Sequence, residues 1–159
     1  MTNRSEITWT EIKIDPSTID LSGSDEEVIL RLAKQINPPV PADLLEETFE
    51  YACYMAREYY RREMGIDNPV LSDQKTAEIR SSVIESLQAE CIIRGLSKSY
   101  GIEVTEADEE KELLAEKNRT GINVKQLRKY FENHPVQSNE KYLGVLRKKL
   151  MDYLRGLKP

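Results

Sequence analysis

Tyr100-Gly101-Ile102-Glu103-Val104-Thr105-Glu106-Ala107-Asp108 decides the fold class of this 159-residue chain. Gly101 supplies the left-handed residue that ends a helix cheaply. Thr105 offers its hydroxyl as the N-cap of the next helix. Glu106, Asp108 and Glu109 then stand in the first turn, where the helix dipole favours negative charge. Ile102 and Val104 provide the apolar contacts that fix the angle between two antiparallel helices. The segment reads as helix, turn and capped return.

Upstream, the spacing predicts a long helix over about 73–99. Ile79, Val83, Leu87 and Ile84, Cys91 trace an apolar band, extended by Ile92 and Leu96. Such a helix is about 40 Å long, and it is expected to project as an arm. Before it, a period of three and four from Ala42 to Met64 marks a second arm helix through Leu45, Phe49, Ala52, Ala56, Tyr59 and Tyr60. Gly65 ends that helix, and Asp67-Asn68-Pro69 makes a loop. Ser24-Asp25-Glu26-Glu27 is a capping box that opens a short helix over about 25–36, stopped by Pro38-Pro39-Val40-Pro41. Ile7–Ile14 is rich in β-branched residues and partly alternates, which fits a short N-terminal strand whose partner is not evident.

Downstream, a charged helix over about 106–118 ends at Gly121. Asn123 caps a short helix carrying Val124, Leu127, Tyr130 and Phe131. After His134-Pro135, Ser138 or Asn139 is expected to cap a last helix whose seam is Leu143, Leu146, Leu150, Tyr153, Leu154 and Leu157. The expected fold is all-α: a helical body with long antiparallel arm helices. The domain reading is an N-terminal linker-like segment with a short helix over 1–39 and a helical domain over 40–159.

Composition agrees. The chain is 32% charged and 39% apolar, with seven Gly and seven Pro, which favours helices with wide solvated faces over a many-turned sandwich. Two cysteines far apart make no disulfide framework, so a cytoplasmic, reducing setting is the default. No apolar run reaches a membrane span, and the N-terminus lacks a signal peptide's apolar core. Net charge is -5, but residues 125–159 carry nine basic and three acidic side chains. That end could serve nucleic acid; a solvated helix face opposite an apolar seam is the simpler reading.

Nothing in the sequence carries catalytic chemistry. It has no glycine-rich phosphate loop, no Cys-x-x-Cys pair and no His-Glu-x-x-His. The single histidine, His134, sits in a turn before proline. Cys53 and Cys91 fall within amphipathic helices, where a free thiol acts as a small hydrophobe. No catalytic residue, metal or cofactor is expected. The unusual feature is aromatic and sulfur-rich: Tyr51, Tyr54, Met55, Tyr59, Tyr60 and Met64 cover more of one helix than a single buried stripe needs. Either that helix packs on two sides, or it offers a surface for apolar peptide, a use that suits Tyr and Met.

The order of these elements resembles the C-terminal chaperone domain of bacterial trigger factor, which is similar to the helical module of SurA. The resemblance starts at Val40-Pro41-Ala42-Asp43-Leu44-Leu45-Glu46-Glu47, like the family's proline-led start of an arm helix. It continues from Leu87 to Leu96 and through Gly101-Ile102-Glu103-Val104-Thr105. Leu127-Arg128-Lys129-Tyr130-Phe131-Glu132-Asn133 and the seam Leu143-Leu146-Leu150-Leu154 complete it. Glu11-Ile12-Lys13-Ile14 with Ser24-Asp25-Glu26-Glu27-Val28 is similar to the family's linker before its isomerase domain. No segment looks like the prolyl isomerase domain or the ribosome-docking loop.

The resemblance implies ATP-independent holdase binding of unfolded or nascent polypeptides, without enzymatic activity. The client surface is expected on the inner faces of the arms: Phe49, Tyr54, Met55, Tyr59 and Met64 on one, Ile84, Leu87 and Cys91 on the other. Tyr54 and Met55 fall off the helical seam and are the residues expected to be exposed. The rival reading is an assembly or scaffolding protein with a fixed partner or its own homodimer. Nucleic acid ranks lower and membrane is not expected.

Overall fold

A computed structural model describes residues 3–157 and is all-helical, with no strand among the described residues. Six α-helices follow in order: α1 (Asp25–Ile36), α2 (Ala42–Glu63), α3 (Asp73–Ser99), α4 (Glu106–Thr120), α5 (Val124–Asn133) and α6 (Pro135–Gly156). Short 3-10 turns stand at Arg4–Glu6 and Pro16–Thr18. The chain divides into two compact units, one comprising Ile29–Ile92 and the other Asn3–Val28 with Ile93 onward.

In the first unit, Ile29, Leu32, Leu44, Cys53, Val83, Leu87, Cys91 and Ile92 are buried. Asn37, with φ of 48°, ends α1 as its N–H donates to Ala33 O at 2.8 Å. Gln88 of α3 then donates to Asn37 Oδ1 at 2.8 Å and to Pro38 O at 3.4 Å, fastening the proline linker to α3. Helices α2 and α3 run antiparallel: Arg80 forks onto both oxygens of Glu46 at 2.9 and 3.1 Å, while the earlier Asn37 meets the later Gln88. Their turn uses Gly65 (φ 64°) and Asn68 (φ 48°), and Ser72 Oγ then accepts from Lys75 N–H at 3.1 Å to cap α3.

The second unit buries Ile19, Val28, Ile93, Leu96, Leu113, Leu127, Leu146, Leu150, Met151 and Leu154. Three of the expected caps form. Ser24 N–H donates to Glu27 Oε2 at 2.7 Å and Glu27 N–H returns to Ser24 Oγ at 3.2 Å. Thr105 and Asp108 do the same at 2.8 and 3.2 Å, and Asn123 Oδ1 accepts from Gln126 N–H at 2.9 Å. Each such cap contributes about 1 kcal/mol.

Two local expectations are corrected. Residues 7–14 form no strand. They lie extended, and Ile12 N–H donates to the helical carbonyl of Gly95 at 3.1 Å rather than to a neighbouring strand. Helix α6 begins at Pro135, not after Ser138 or Asn139. Proline suits the first helical position because its missing N–H would have no partner there, and Asn139 Oδ1 instead accepts from Arg94 at 2.7 Å. The α6 seam keeps Leu146, Leu150 and Leu154 and adds Met151, while Tyr153 and Leu157 stand at the surface.

Candidate functional site

Helix α2 buries Leu44 and Cys53, half-buries Phe49, Ala52 and Ala56, and leaves a second apolar set uncovered. Tyr54 is 52% exposed and Met55 48%, and Tyr59 and Met64 are more open still. On the far side of the helix Glu58 pairs with Arg61 at 2.6 Å and Arg62 at 3.5 Å, the two arginines being exposed. Aromatic and thioether groups therefore stand outside the core, where no packing within the helix requires them.

A groove of about 350 Å³ lies between α2 and α3. Thr48 and Ala52 form its α2 wall; Ile79, Val83, Ser82 and Ser86 line it from α3, with Lys75 and Glu78 also on its edge. It exists because the facing residues are small: Ala52, Ser82 and Ser86 leave room that leucines would fill. Thr48, Ala52, Met55 and Tyr59 follow at steps of four, three and four, so Met55 and Tyr59 continue the groove's α2 wall towards the helix end. Exposed Met64, Ile66 and Val70 occupy the turn beyond, Val70 at 91% exposure.

Of the expected client-binding residues, the structure leaves Tyr54, Met55, Tyr59 and Met64 exposed and Phe49 and Ile84 half-buried. Phe49 is covered by Arg80, whose guanidinium lies 4.5 Å above its ring. Leu87 and Cys91 present almost no surface: Leu87 is 2% exposed, and Cys91 Sγ lies 3.8 Å from Pro39 O beneath the proline linker. They are core residues, because α3 turns its 87–92 face onto the linker that Gln88 clamps. Ile66 and Val70 are further exposed apolar residues that the sequence reading does not single out. Their signal was available, as apolar residues inside a turn otherwise made of Gly, Asp, Asn, Pro and Ser.

The site offers apolar contact. Both cysteines are buried free thiols. His134 caps the end of α5 and stacks on Tyr130 at 3.9 Å. Among the described residues, no group of three or more His, Cys, Asp or Glu could hold a metal ion, and no helix is long and apolar enough to cross a membrane. On the basic C-terminal helix, Lys149 pairs with Asp108 at 2.6 Å, Arg147 with Glu26 at 3.8 Å and Arg155 with Asp25. On α5, Arg128 pairs with Glu110 at 2.8 Å.

The family model for the bacterial trigger factor protein C-terminus matches residues 23–155. No curated protein and no solved structure gives a significant match to the chain.

Proposed function

Because this chain belongs to the bacterial trigger factor C-terminus family, a chaperone-type family, we propose that it is an ATP-independent holdase for unfolded or nascent polypeptides. The observation that carries the reading is the apolar stripe of α2. Tyr54, Met55, Tyr59 and Met64 are exposed, and Met55 and Tyr59 share the helix face that walls a groove whose lining is small and partly apolar. Exposed apolar area of this kind marks an interaction surface. Met adapts its shape to irregular partners, and Tyr buries its ring while its hydroxyl stays wet. Many weak contacts of this sort give promiscuity without a single anchoring pocket.

In this reading the protein is not an enzyme, and it works in the cytoplasm, where Cys53 and Cys91 stay reduced. The matched family is the chaperone part of trigger factor, which supports both points. The ion pairs made by Arg147, Lys149 and Arg155 of α6 support a protein partner over nucleic acid.

Light scattering from an aggregating unfolded client, with and without the protein and without nucleotide, tests the proposal. Suppression that rises with the molar ratio of protein to client is expected. A monodisperse oligomer that leaves aggregation unchanged would instead support a scaffolding protein whose apolar stripe is covered by a fixed partner or a second copy.

A further inference from the structure

Residues 7–14 already sit in the second unit as an extended peptide lies on a receptor. Three polar bonds tie their main chain to the end of α3 and Tyr100 after it. Ile12 N–H donates to Gly95 O at 3.1 Å, Lys98 Nζ donates to Trp9 O at 3.3 Å, and the Tyr100 hydroxyl donates to Ile14 O at 3.0 Å. Of the side chains, the Trp9 indole N–H donates to Arg4 O at 3.2 Å, and ring stacking adds to it. Arg94 lies over the Trp9 ring at 4.8 Å and over the Tyr142 ring at 5.0 Å. Ile7, Trp9, Ile12 and Ile14 are half-buried, while Thr8, Thr10, Glu11 and Lys13 between them are exposed.

Bonds to main-chain atoms read an extended backbone without reading its sequence. The seat is also cut to admit a backbone. A Cβ on Gly95 would stand 2.7 Å from both Thr10 O and Ile12 Cγ1, so only glycine lets the segment approach α3 this closely. None of its four inward side chains is fully buried, but most of their surface is covered, so a displacing client must cover the apolar surface that the strap leaves. The segment also lies outside residues 23–155, the span the family model matches.

We propose that the α3 face from Arg94 to Tyr100, together with Tyr142, is a second polypeptide-binding surface, and that residues 7–14 occupy it as a stand-in for a client. The partner it fits is an extended stretch of unfolded polypeptide with β-branched or aromatic residues at the spacing of Ile7, Trp9, Ile12 and Ile14, which displaces the strap and takes over its main-chain bonds. This rests on the holdase reading and gives it a regulated site: the strap competes with clients, so apparent affinity falls by the fraction of molecules in which the seat is open.

Trp9 is the single tryptophan and reports directly on the strap. The full chain is titrated with a labelled, permanently unfolded, tryptophan-free polypeptide, and label anisotropy is followed alongside Trp9 emission. Trp9 emission is expected to shift to the red with the same midpoint as binding. Gly95→Ala favours the helix while pushing Thr10 and Ile12 off it. It should start red-shifted and bind the polypeptide with a Kd at least threefold lower. Should Gly95→Ala fold poorly by far-UV circular dichroism, Ile12→Ser weakens the strap without touching the helix and gives the same readout. Binding that leaves Trp9 emission unchanged, or an unchanged Kd in a folded strap variant, overturns this inference and leaves the holdase reading standing. No binding by any of the proteins defeats the holdase reading itself, and this inference with it.

Discussion

Lys149 Nζ lies 2.6 Å from Asp108 Oδ2, the carboxylate oxygen that also accepts from Thr105 N–H to close the cap of α4. The same ammonium donates to Glu103 O at 2.6 Å. One side chain of α6 thus pins both the turn after α3 and the start of α4, converting a local capping box into a tertiary fastening.

That geometry sets a pH dependence. The Lys149 ammonium first, and then the Thr105 amide and hydroxyl, hold the Asp108 carboxyl down from its ordinary 3.8 to about 2. A depressed folded pKa stabilises fully above the unfolded value, and the contribution is lost as pH falls from about 4 through 2. Thermal melts of the parent and of Asp108→Asn at stepped pH should converge as pH drops from 5 to 2, the parent losing more. Parallel curves would show that Asp108 plays no such part.

Leu87→Ala separates core from site. With Leu87 almost wholly buried, the truncation should cost about 2–5 kcal/mol, or roughly 5–20 °C in melting temperature. At a temperature where the variant remains folded, client suppression should be close to that of the parent. A variant of unchanged stability with lost suppression would return Leu87 to the client surface.

The basic end provides a third test. Arg128, Arg147, Lys149 and Arg155, four of the nine basic residues of 125–159, each face a carboxylate, which reduces the charge able to displace counterions from a phosphate backbone. The protein should pass a DNA or RNA column at 0.15 M salt without retention. Retention that falls steeply with salt would favour a nucleic-acid partner.

What was legible in the sequence was local. Gly101, Thr105, Asn123 and Ser24 act on neighbours three or four residues away, so their helices begin where the residues say. Partners distant in sequence were not legible. Nothing local tells Ile12 to seek the carbonyl of Gly95, so a β-branched run read as a strand instead lies extended along a helix. Arg80 covering Phe49, and Arg94 between Trp9 and Tyr142, depend on which faces meet in three dimensions. The same limit hid the groove, since Ala52, Ser82 and Ser86 look unremarkable until two helices oppose them. Leu87 and Cys91 were placed on a client surface because their apolar band was visible, whereas the linker that buries it was not known to fold back.

The most direct measurement of the central claim replaces Tyr54 and Met55 together with serine and compares client suppression with thermal stability. Both residues are about half exposed, so the melting temperature should stay within about 2 °C of the parent, as for most surface substitutions. Suppression of client aggregation should weaken several-fold at equal protein concentration. Full suppression by the folded double variant, or a melting temperature lower by many degrees, would contradict the account, since the stripe would then be either idle surface or core.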